Sequence, residues 1–408
     1  MEVLSPAGNL AKVKYAVAYG ADAVYAGSQD FSLRAKADRF DQHDLLEAVK
    51  FCHQHQRKLF VPLNIYAHNR HLPGIRTYLE QLSETQIDAL IVSDLGVLDL
   101  VQHITPHIPV HISTQANVTS YQAALAYQKL GAKRIILARE LTYEEIHTIR
   151  EKCPDLELEI FIHGAMCISY SGRCLLSAFL NNRSANLGEC THPCRWKYSL
   201  VEESRPTQFF GIEEDQHGFY FMNAKDLCLW EQLSLIFQMG IDSIKIEGRM
   251  KSLYYIAAVT RAYKQAILSL QKSEKPDPFW QEELQKVSHR VYTKGFFQDY
   301  QAEKAQNYES AQYFRHWQFV GNLLHWTNGY AYVQSYHKIQ PSDMIEFIFP
   351  AREHDFHLQN FELFDENKQK IVFTKPNSVF LIKIDQPLPE YGILRKKTKE
   401  QDFNESSL

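Results

Sequence analysis

The stretch RIILARELTYEEIHTIREKCPDLELEIFIHG, residues 134–164, decides the fold of this chain. Its two ends, RIILARE and LELEIFIHG, are apolar runs typical of β-strands, and the segment between them has a helical pattern. A strand, a helix and a second strand in this order form the unit from which parallel sheets are built. We therefore expect this stretch to be one repeat of an α/β sheet.

Outside this stretch, the same alternation extends from the first residues to about residue 270. Six more strand-like runs are separated by helical segments. They are VL (3–4), AVY (23–25), KLFVPLN (58–64), ALIVSD (89–94), PVHIST (109–114) and DSIKIEGR (242–249). Eight such strands predict a TIM-like (β/α)8 barrel of the α/β class, with a doubly wound open sheet as the alternative.

The composition of the 408 residues is that of a globular protein, with 45% hydrophobic and 23% charged residues. The net charge of −4 argues against a histone-like, non-specific nucleic-acid binder but is compatible with a local basic patch. The first residues, MEVLSPAGNL, have no secretory pattern, and no apolar run reaches the roughly 18–20 residues of a membrane helix. We expect a cytoplasmic protein with no membrane partner, whose seven cysteines stay reduced.

One connection in the barrel is much longer than the others. The expected seventh and eighth strands are separated by the 80 residues 163–242. Long loops are usually functional, and a loop that follows a barrel strand lies on the face that carries active sites. We assign residues 1–268 to the barrel, with a Cys-rich insertion at 163–230. Residues 269–316 form a helical connector, 317–400 a small all-β barrel domain and 401–408 a tail. The composition is already typical of a solvated tail over the whole stretch KKTKEQDFNESSL (396–408).

Five of the seven cysteines lie in this insertion, where an even spread would place about one. They are Cys167, Cys174, Cys190, Cys194 and Cys228, the last at the start of an expected helix. The spacing is C-x6-C-x15-C-x3-C, and Cys228 follows 34 residues later. Thiolates bind soft metal centres, so an iron–sulfur cluster or zinc is expected, with reduced structural cysteines as the alternative.

An iron–sulfur cluster is favoured over zinc because structural zinc uses paired short C-x2–4-C knuckles, and the spacing here is dispersed. Gly164, Gly172 and Gly188 would let the backbone fold closely around such a centre. Cys167, Cys174 and Cys190 belong to any sensible set of four ligands. The fourth is either Cys194 or Cys228, and we favour Cys228 because it would tie both ends of the insertion to one centre.

Polar side chains follow the expected strands at the end where a barrel holds its active site. We expect catalytic groups and substrate-binding groups among them. The catalytic candidates are Arg139, Glu140, His163 and Glu247, and the binding candidates are Arg34, Asn64, Gln115, Asn117, Lys245 and Arg249. Several cations in one pocket suit a carboxylate or phosphate ligand.

The insertion is locally basic. Between residues 164 and 200 four basic residues, Arg173, Arg183, Arg195 and Lys197, face one acidic residue, which gives a net charge of +3. Tyr170, Trp196 and Tyr198 are interleaved with them. This combination can hold an unstacked nucleotide but is equally ordinary in a surface loop.

A set of ordered motifs resembles the collagenase-like peptidase family of unknown catalytic type. The motifs are LSPAGN (4–9), DAVYAG (22–27), STQAN (113–117), LARE (137–140), FIHGAMC (161–167), GEC-x3-CRW (188–196), NAKDLC (223–228), KIEGRMKS (245–252) and YTKGFF (292–297). The resemblance implies a barrel with a four-iron, four-sulfur cluster, and Cys167, Cys174 and Cys190 fall on the family's ligand positions. The fourth ligand varies within the family.

The family resemblance also implies an activity. Similar members hydroxylate carbon five of the tRNA wobble uridine in a reaction linked to prephenate, and others act on a ribosomal-RNA cytidine or in oxygen-independent ubiquinone hydroxylation. Prephenate is a dicarboxylate, for which Arg34, Arg139, Lys245 and Arg249 are suitable partners. We expect a tRNA (or rRNA) hydroxylase. The alternatives are a peptidase, as other family members are described, and a redox-sensing RNA-binding module without enzymatic activity.

Overall fold

The computed structural model describes residues 1–27, 40–167, 169–195, 201–202, 205–209, 225–298 and 313–398. Within these ranges, none of the helices is both long and apolar enough to cross a membrane. Arg34, Trp196, Lys197, Tyr198 and the expected tail at 401–408 lie outside the described residues.

The eight predicted barrel strands are all present and parallel. They are β1 (Glu2–Pro6), β2 (Ala23–Tyr25), β3 (Lys58–Leu63), β4 (Ala89–Val92), β5 (Val110–Ile112), β6 (Ala132–Ile136), β7 (Glu157–Ala165) and β11 (Ser243–Ile246). Each pairs with its neighbour in chain order, and β11 pairs with both β1 and β7. This pairing closes the sheet, so the barrel prediction is confirmed over the open-sheet alternative.

Helices cover the outside of the barrel. They are α1 (Leu10–Ala18), α2 (Gln42–Gln54), α3 (Leu72–Ser83), α4 (Leu95–Ile104), α5 (Tyr121–Lys129), α6 (Tyr143–Lys152), α8 (Leu233–Gln238) and α9 (Leu253–Gln271). Several begin at a side chain that accepts a hydrogen bond from the first turn, such as Asn9, Asp41, Asp94 and Thr142. Asp94 therefore caps a helix, although it directly follows a strand, as the candidate site residues do.

The insertion between β7 and β11 has structure of its own. It contains the short helix α7 (Leu176–Asn181), the hairpin β8 (Val201–Glu202) and β9 (Arg205–Phe209), and the strand β10 (Asp226–Cys228). Strand β10 pairs antiparallel with β7, and β12 (Tyr292–Thr293) in the connector pairs with β10. Strands β10 and β12 thus lie beside the closed barrel. The sequence predicted a loop and the start of a helix at β10, and a helical connector at β12.

The connector and the β-domain follow. After α10 (Pro278–Lys286) and β12, the domain consists of β13 (Trp317–Thr327), β14 (Tyr330–Ser335), β15 (Ile345–Ile348), β16 (Phe356–Leu358), β17 (Leu363–Phe364), β18 (Lys370–Ile371), β19 (Val379–Lys383) and β20 (Ile393–Lys397). They form one antiparallel sheet in the order β16-β15-β20-β13-β14-β19-β17-β18. The predicted all-β domain is present as a half-barrel, because β16 and β18 are its two edge strands.

Arg395 explains why β20, whose last two residues begin the stretch of tail-like composition, is a central strand of this sheet. Arg395 of β20 is fully buried, and its guanidinium contacts Glu283 of α10 at 2.8 Å and Glu346 of β15 at 2.7 Å. Lys396 and Lys397, with which the stretch of tail-like composition begins, belong to β20, which pairs with both β13 and β15. Arg395 and Lys396 of this strand pair with carboxylates on neighbouring segments. The composition of the strand alone does not reveal these partners.

Candidate active site

A cavity of about 120 Å³ opens at the carboxyl ends of the barrel strands, beneath the insertion. Most of the predicted site residues line it. They are Asn64, Gln115, Arg139, Lys245, Glu247 and Arg249, together with Cys167, Cys174, Cys190 and Cys194. The structure therefore brings four thiols and three cations into one cavity on the face where barrel enzymes bind their substrates.

The loop that carries the thiols depends on glycines. Gly164, Gly172 and Gly188 all have positive φ, at 108°, 74° and 86°. A Cβ on Gly164 would lie 2.5 Å from the main-chain oxygen of Glu247, and one on Gly172 would lie 3.0 Å from Cγ of Gln115. The backbone on both sides of Cys167 therefore approaches the barrel mouth at a distance that only glycine permits.

Cys228, the fourth ligand favoured from the sequence, is placed elsewhere. It ends strand β10 opposite His163 of β7 and does not open a helix, and it is not among the residues that line the cavity. Its Sγ lies 3.7 Å from the Tyr263 hydroxyl of α9, and burial raises the pKa of its thiol. Cys194 occupies the cavity wall instead.

The spacing of the thiols bears on which metal they suit. Within the described ranges, three side chains that could bind a metal have all their ligand atoms within 4.8 Å of one another. They are Asp41, His43 and Asp44, which lie far from these cysteines in the sequence. Four sulfurs on one zinc would lie about 3.8 Å apart, because a Zn–S bond is about 2.3 Å long. In the part of the chain that the structure describes, no three of the cavity thiols lie within 4.8 Å of one another.

Arg139 links the barrel to the cysteine loop. Its guanidinium donates to the Ala165 carbonyl at 2.9 Å and to the Ser171 hydroxyl at 3.2 Å, and one nitrogen lies 3.9 Å from Sγ of Cys167. The group also stacks over the Phe161 ring at 5.1 Å. These contacts fasten the segment that carries Cys167 to the segment that follows β6.

Lys245 is held at the base of the cavity by a buried ion network. Its Nζ lies 3.0 Å from Glu159, which also accepts from Arg134 at 2.9 Å. Burial alone would raise the pKa of Glu159, but Lys245 and Arg134 outweigh it and lower that pKa to about 2. Burial lowers the pKa of Lys245, although the Glu159 carboxylate opposes this change. The network fixes a cation in the cavity floor.

Tyr25 organises the cationic side of the cavity. Its hydroxyl donates to the Ile246 carbonyl at 2.8 Å and lies 3.5 Å from a carboxylate oxygen of Glu247. Its ring lies 4.5 Å from Nζ of Lys245 and 5.9 Å from the guanidinium carbon of Arg249. These distances place an aromatic face, two cations and one carboxylate around the same point.

The amides predicted to bind substrate form a second cluster on the cavity wall. Asn64 donates to Gln115 at 3.1 Å and to Ser113 at 3.3 Å, and Ser113 also contacts Gln115. Asn117 is next to this cluster and does not line the cavity; it donates to the main-chain carbonyls of Gln115 and Ser171 at 2.8 and 3.1 Å. Asn117 thus fastens the cysteine loop to β5, while Asn64 and Gln115 face the cavity.

Two predicted catalytic residues are buried outside the cavity. His163 points toward the outer helix layer, where Nδ1 lies 3.2 Å from the Tyr263 hydroxyl, and burial lowers its pKa to about 3. Glu140 is buried beyond the cavity lining, and burial raises its pKa. The structure therefore brings Arg139 and Glu247 together, but not His163 or Glu140.

Sequence reasoning did not identify Tyr25, Phe161, Glu159 or Arg134 as parts of the site. Tyr25 and Phe161 occur within apolar strand patterns that indicate core, and their rings line the cavity all the same. Glu159 could have been found, because it is a charged residue within a mostly apolar strand. Buried carboxylates are nearly always paired, so its position indicates a buried ion pair.

Comparison with known proteins identifies the family. Residues 8–307 match Peptidase family U32, and residues 315–395 match the Peptidase family U32 C-terminal domain. The tRNA hydroxylation protein P of Escherichia coli (strain K12) is 37% identical to this chain, over 88% of this chain and 89% of that protein. The tRNA hydroxylation protein P1 of Bacillus subtilis (strain 168) is 36% identical, over 97% and 94%.

A further relative, the 23S rRNA 5-hydroxycytidine C2501 synthase of Escherichia coli (strain K12), is 34% identical over 72% of this chain and 45% of that protein. The two family matches follow one another along the chain and cover both the barrel and the half-barrel. The family expected from the motifs is thereby confirmed: the chain belongs to peptidase family U32.

Proposed function

We propose that this protein is an RNA-modifying enzyme that hydroxylates tRNA, at carbon five of the wobble uridine, in the cytoplasm. The observation that carries the proposal is the single cavity in which thiols, cations and amides meet. The relatives named for tRNA hydroxylation match along nearly the whole chain, which supports tRNA ahead of rRNA.

Cys167, Cys174, Cys190 and Cys194 would hold a four-iron, four-sulfur cluster, since these four line the cavity. A cluster bound there supplies one-electron redox chemistry, or an iron site, beside the substrate. The protein contributes the Arg139 guanidinium near Cys167, which balances the negative charge of the thiolates. It also contributes a loop whose glycines allow close approach to the barrel.

The cationic side of the cavity suits a small dicarboxylate, and we propose prephenate as the co-substrate. Nζ of Lys245 and the guanidinium carbon of Arg249 lie 4.5 and 5.9 Å from the centre of the Tyr25 ring, so that two carboxylates could each meet one cation. Lys245 is fixed by Glu159 before any ligand arrives. Such preorganisation reduces the entropy lost on binding.

The uracil base would contact the amides of Asn64 and Gln115 and the carboxylate of Glu247. Asn64 and Gln115, whose amides are bonded to each other at 3.1 Å, carry the donor and acceptor groups that could instead pair with the edge of an unstacked pyrimidine. Glu247, beside the Tyr25 hydroxyl, is the carboxylate we propose as a proton acceptor in the cavity.

Nucleoside analysis of total tRNA from a deletion strain tests the proposal. We expect hydroxyuridine at the wobble position to disappear, to return with the wild-type gene and to stay absent with Glu247→Gln. Glu353→Gln, an exposed residue of the β-domain, is the control and should restore the modification. Unchanged hydroxyuridine in the deletion strain would refute the proposal.

One contact favours a second candidate, a thiol peptidase. Sγ of Cys190 lies 3.8 Å from Nδ1 of His192, and both residues line the cavity. A thiol beside an imidazole is the arrangement of cysteine nucleophiles. Catalytic cleavage of gelatin by the metal-free protein, abolished by Cys190→Ser, would support this candidate; we expect no cleavage.

A further inference from the structure

The insertion carries a helix whose apolar side faces solvent. On α7 and the residue before it, Phe179 is 86% exposed and Leu175 is 68% exposed, and Leu180 is also exposed. Leu175 and Phe179 are joined by a main-chain hydrogen bond of one helical turn, so they lie on the same face. Contiguous exposed apolar side chains of this size mark an interaction surface more often than scattered ones do.

The polar side of the same helix is the buried one. Ser177 is 1% exposed and bonds to Thr191, through both the hydroxyl and the main-chain nitrogen of that residue, at 3.1 Å each. Asn181 donates to the same threonine hydroxyl at 2.8 Å. Thr191 follows Cys190, so these bonds fix the helix to the cysteine loop and turn its apolar face outward. The polarity of α7 is thus the reverse of that of an ordinary surface helix.

The charge around this face indicates the partner. Exposed Arg173 lies just before the helix and half-buried Arg183 just after it. Between residues 169 and 194, Arg173 and Arg183 face one acidic residue, Glu189, which leaves a net charge of +1. Basic groups bind phosphates, and a flat apolar ring accepts the face of any unstacked base. Phosphate and base occur together in single-stranded nucleic acid, whereas an apolar protein partner would not need the arginines.

The surface is continuous with the cavity. Cys174, which lies between Arg173 and Leu175 in the sequence, lines the cavity wall, as does Gly172. The rim of the cavity therefore adjoins Leu175, the first residue of the apolar face.

We propose that Arg173, Leu175, Phe179, Leu180 and Arg183 form an insertion platform on which an unpaired nucleotide of the RNA stacks, next to the nucleotide whose base enters the cavity. The inference rests on the proposed function and names the surface through which that same site holds its RNA. Phe179 supplies the stacking face, and the two arginines bind the flanking phosphates.

Binding of a synthetic, unmodified tRNA anticodon stem–loop to the anaerobically purified protein tests the platform. We expect Phe179→Ala to weaken the affinity about 5- to 100-fold, since stacking of one base on an aromatic ring contributes on this scale. Phe179→Trp should stay within about threefold of wild type, because it keeps a stacking face. Phe373→Ala, which removes an exposed phenylalanine from the β-domain, is the matched control and should have no effect.

The salt dependence separates the two parts of the platform. Arg173→Gln should reduce the slope of log affinity against log salt concentration by about 0.7, the amount expected when a protein neutralises one phosphate fewer on single-stranded RNA. Phe179→Ala should weaken binding without a change of slope. A merely structural role for either residue would not produce this division.

The outcomes distinguish the platform from the proposed function. If the wild-type protein binds the stem–loop and Phe179→Ala binds it equally well, the platform is refuted and the function stands. If the wild-type protein does not bind the stem–loop, both are refuted. If Phe179→Ala and Phe373→Ala weaken binding equally, the effect is not specific to α7 and the platform is again refuted.

Discussion

Replacing Glu159 with glutamine tests whether a buried ion network presets the cation in the cavity floor. Glu159 is fully buried and lies 3.0 Å from Lys245 and 2.9 Å from Arg134. Glutamine keeps the size of the side chain but removes its charge. Lys245 would then be a buried cation without its carboxylate, which is the costly way to break a buried pair.

The expected loss of stability follows from these ion pairs. Removing one partner of a buried ion pair costs about 3–5 kcal/mol. We expect about 3 kcal/mol, at the lower end of that range, because Arg134 keeps its ion pairs with Glu2 and Glu157. At roughly 2–4 °C per kcal/mol for large domains, the Tm should fall by roughly 6–12 °C.

Thermal unfolding of the anaerobically purified protein measures this loss, and the same arginine offers a control. Glu157 also pairs with Arg134, but its side chain is 50% exposed, so Glu157→Gln should cost less than about 1 kcal/mol. Equal and small shifts in Tm for the two variants would refute the reasoning, because they would show that burial of Glu159 adds nothing to its ion pairs.

The same variant has a predicted pH dependence. The pKa of Glu159 in the folded protein, about 2, lies below its ordinary value of 4.5. Its ion pairs therefore stabilise the fold fully above pH 4.5 and lose this effect as the pH falls toward 2. Glu159→Gln should remove this part of the acid sensitivity. It should also lower the pKa of Lys245 further, so that binding of a dicarboxylate weakens as the pH rises.

Three further predictions concern other parts of the chain. Cys194→Ser should lose most of its iron and sulfide while Cys228→Ser keeps them; the opposite result would restore the ligand favoured by the sequence. Gly164→Ala should lower the free energy of unfolding in urea by about 2 kcal/mol or more, against about 1 kcal/mol for Gly240→Ala, whose Cβ would meet nothing within 4 Å. Arg395→Met should cost about 3 kcal/mol and expose the β-domain to limited proteolysis, since Glu346 loses its arginine while Glu283 keeps Lys286 and Arg261; unchanged proteolysis would contradict this.

The barrel could be predicted because its signals are local. Each strand is a short, mostly apolar run, and helices begin at capping residues such as Asp41 and Thr142. The position of the cavity followed from topology, since residues that end parallel strands meet at one face. Asn64, Gln115 and Lys245 were found in this way.

The remaining features depend on which residues meet across the fold. Arg395 is central because carboxylates from α10 and β15 reach it, and nothing next to it in the sequence indicates this. The choice between Cys194 and Cys228 likewise depends on the side of β7 from which each thiol approaches. Short-range patterns carry no information about such contacts, so His163 was expected in the cavity and lies behind its wall.

The central claim is that the cavity at the barrel mouth holds an iron–sulfur cluster on cysteines of the insertion. Its most direct test is the iron, acid-labile sulfide and zinc content of the protein purified without oxygen. We predict about four iron and about four sulfide per chain, with little zinc. A protein that contains one zinc and no sulfide would contradict the claim.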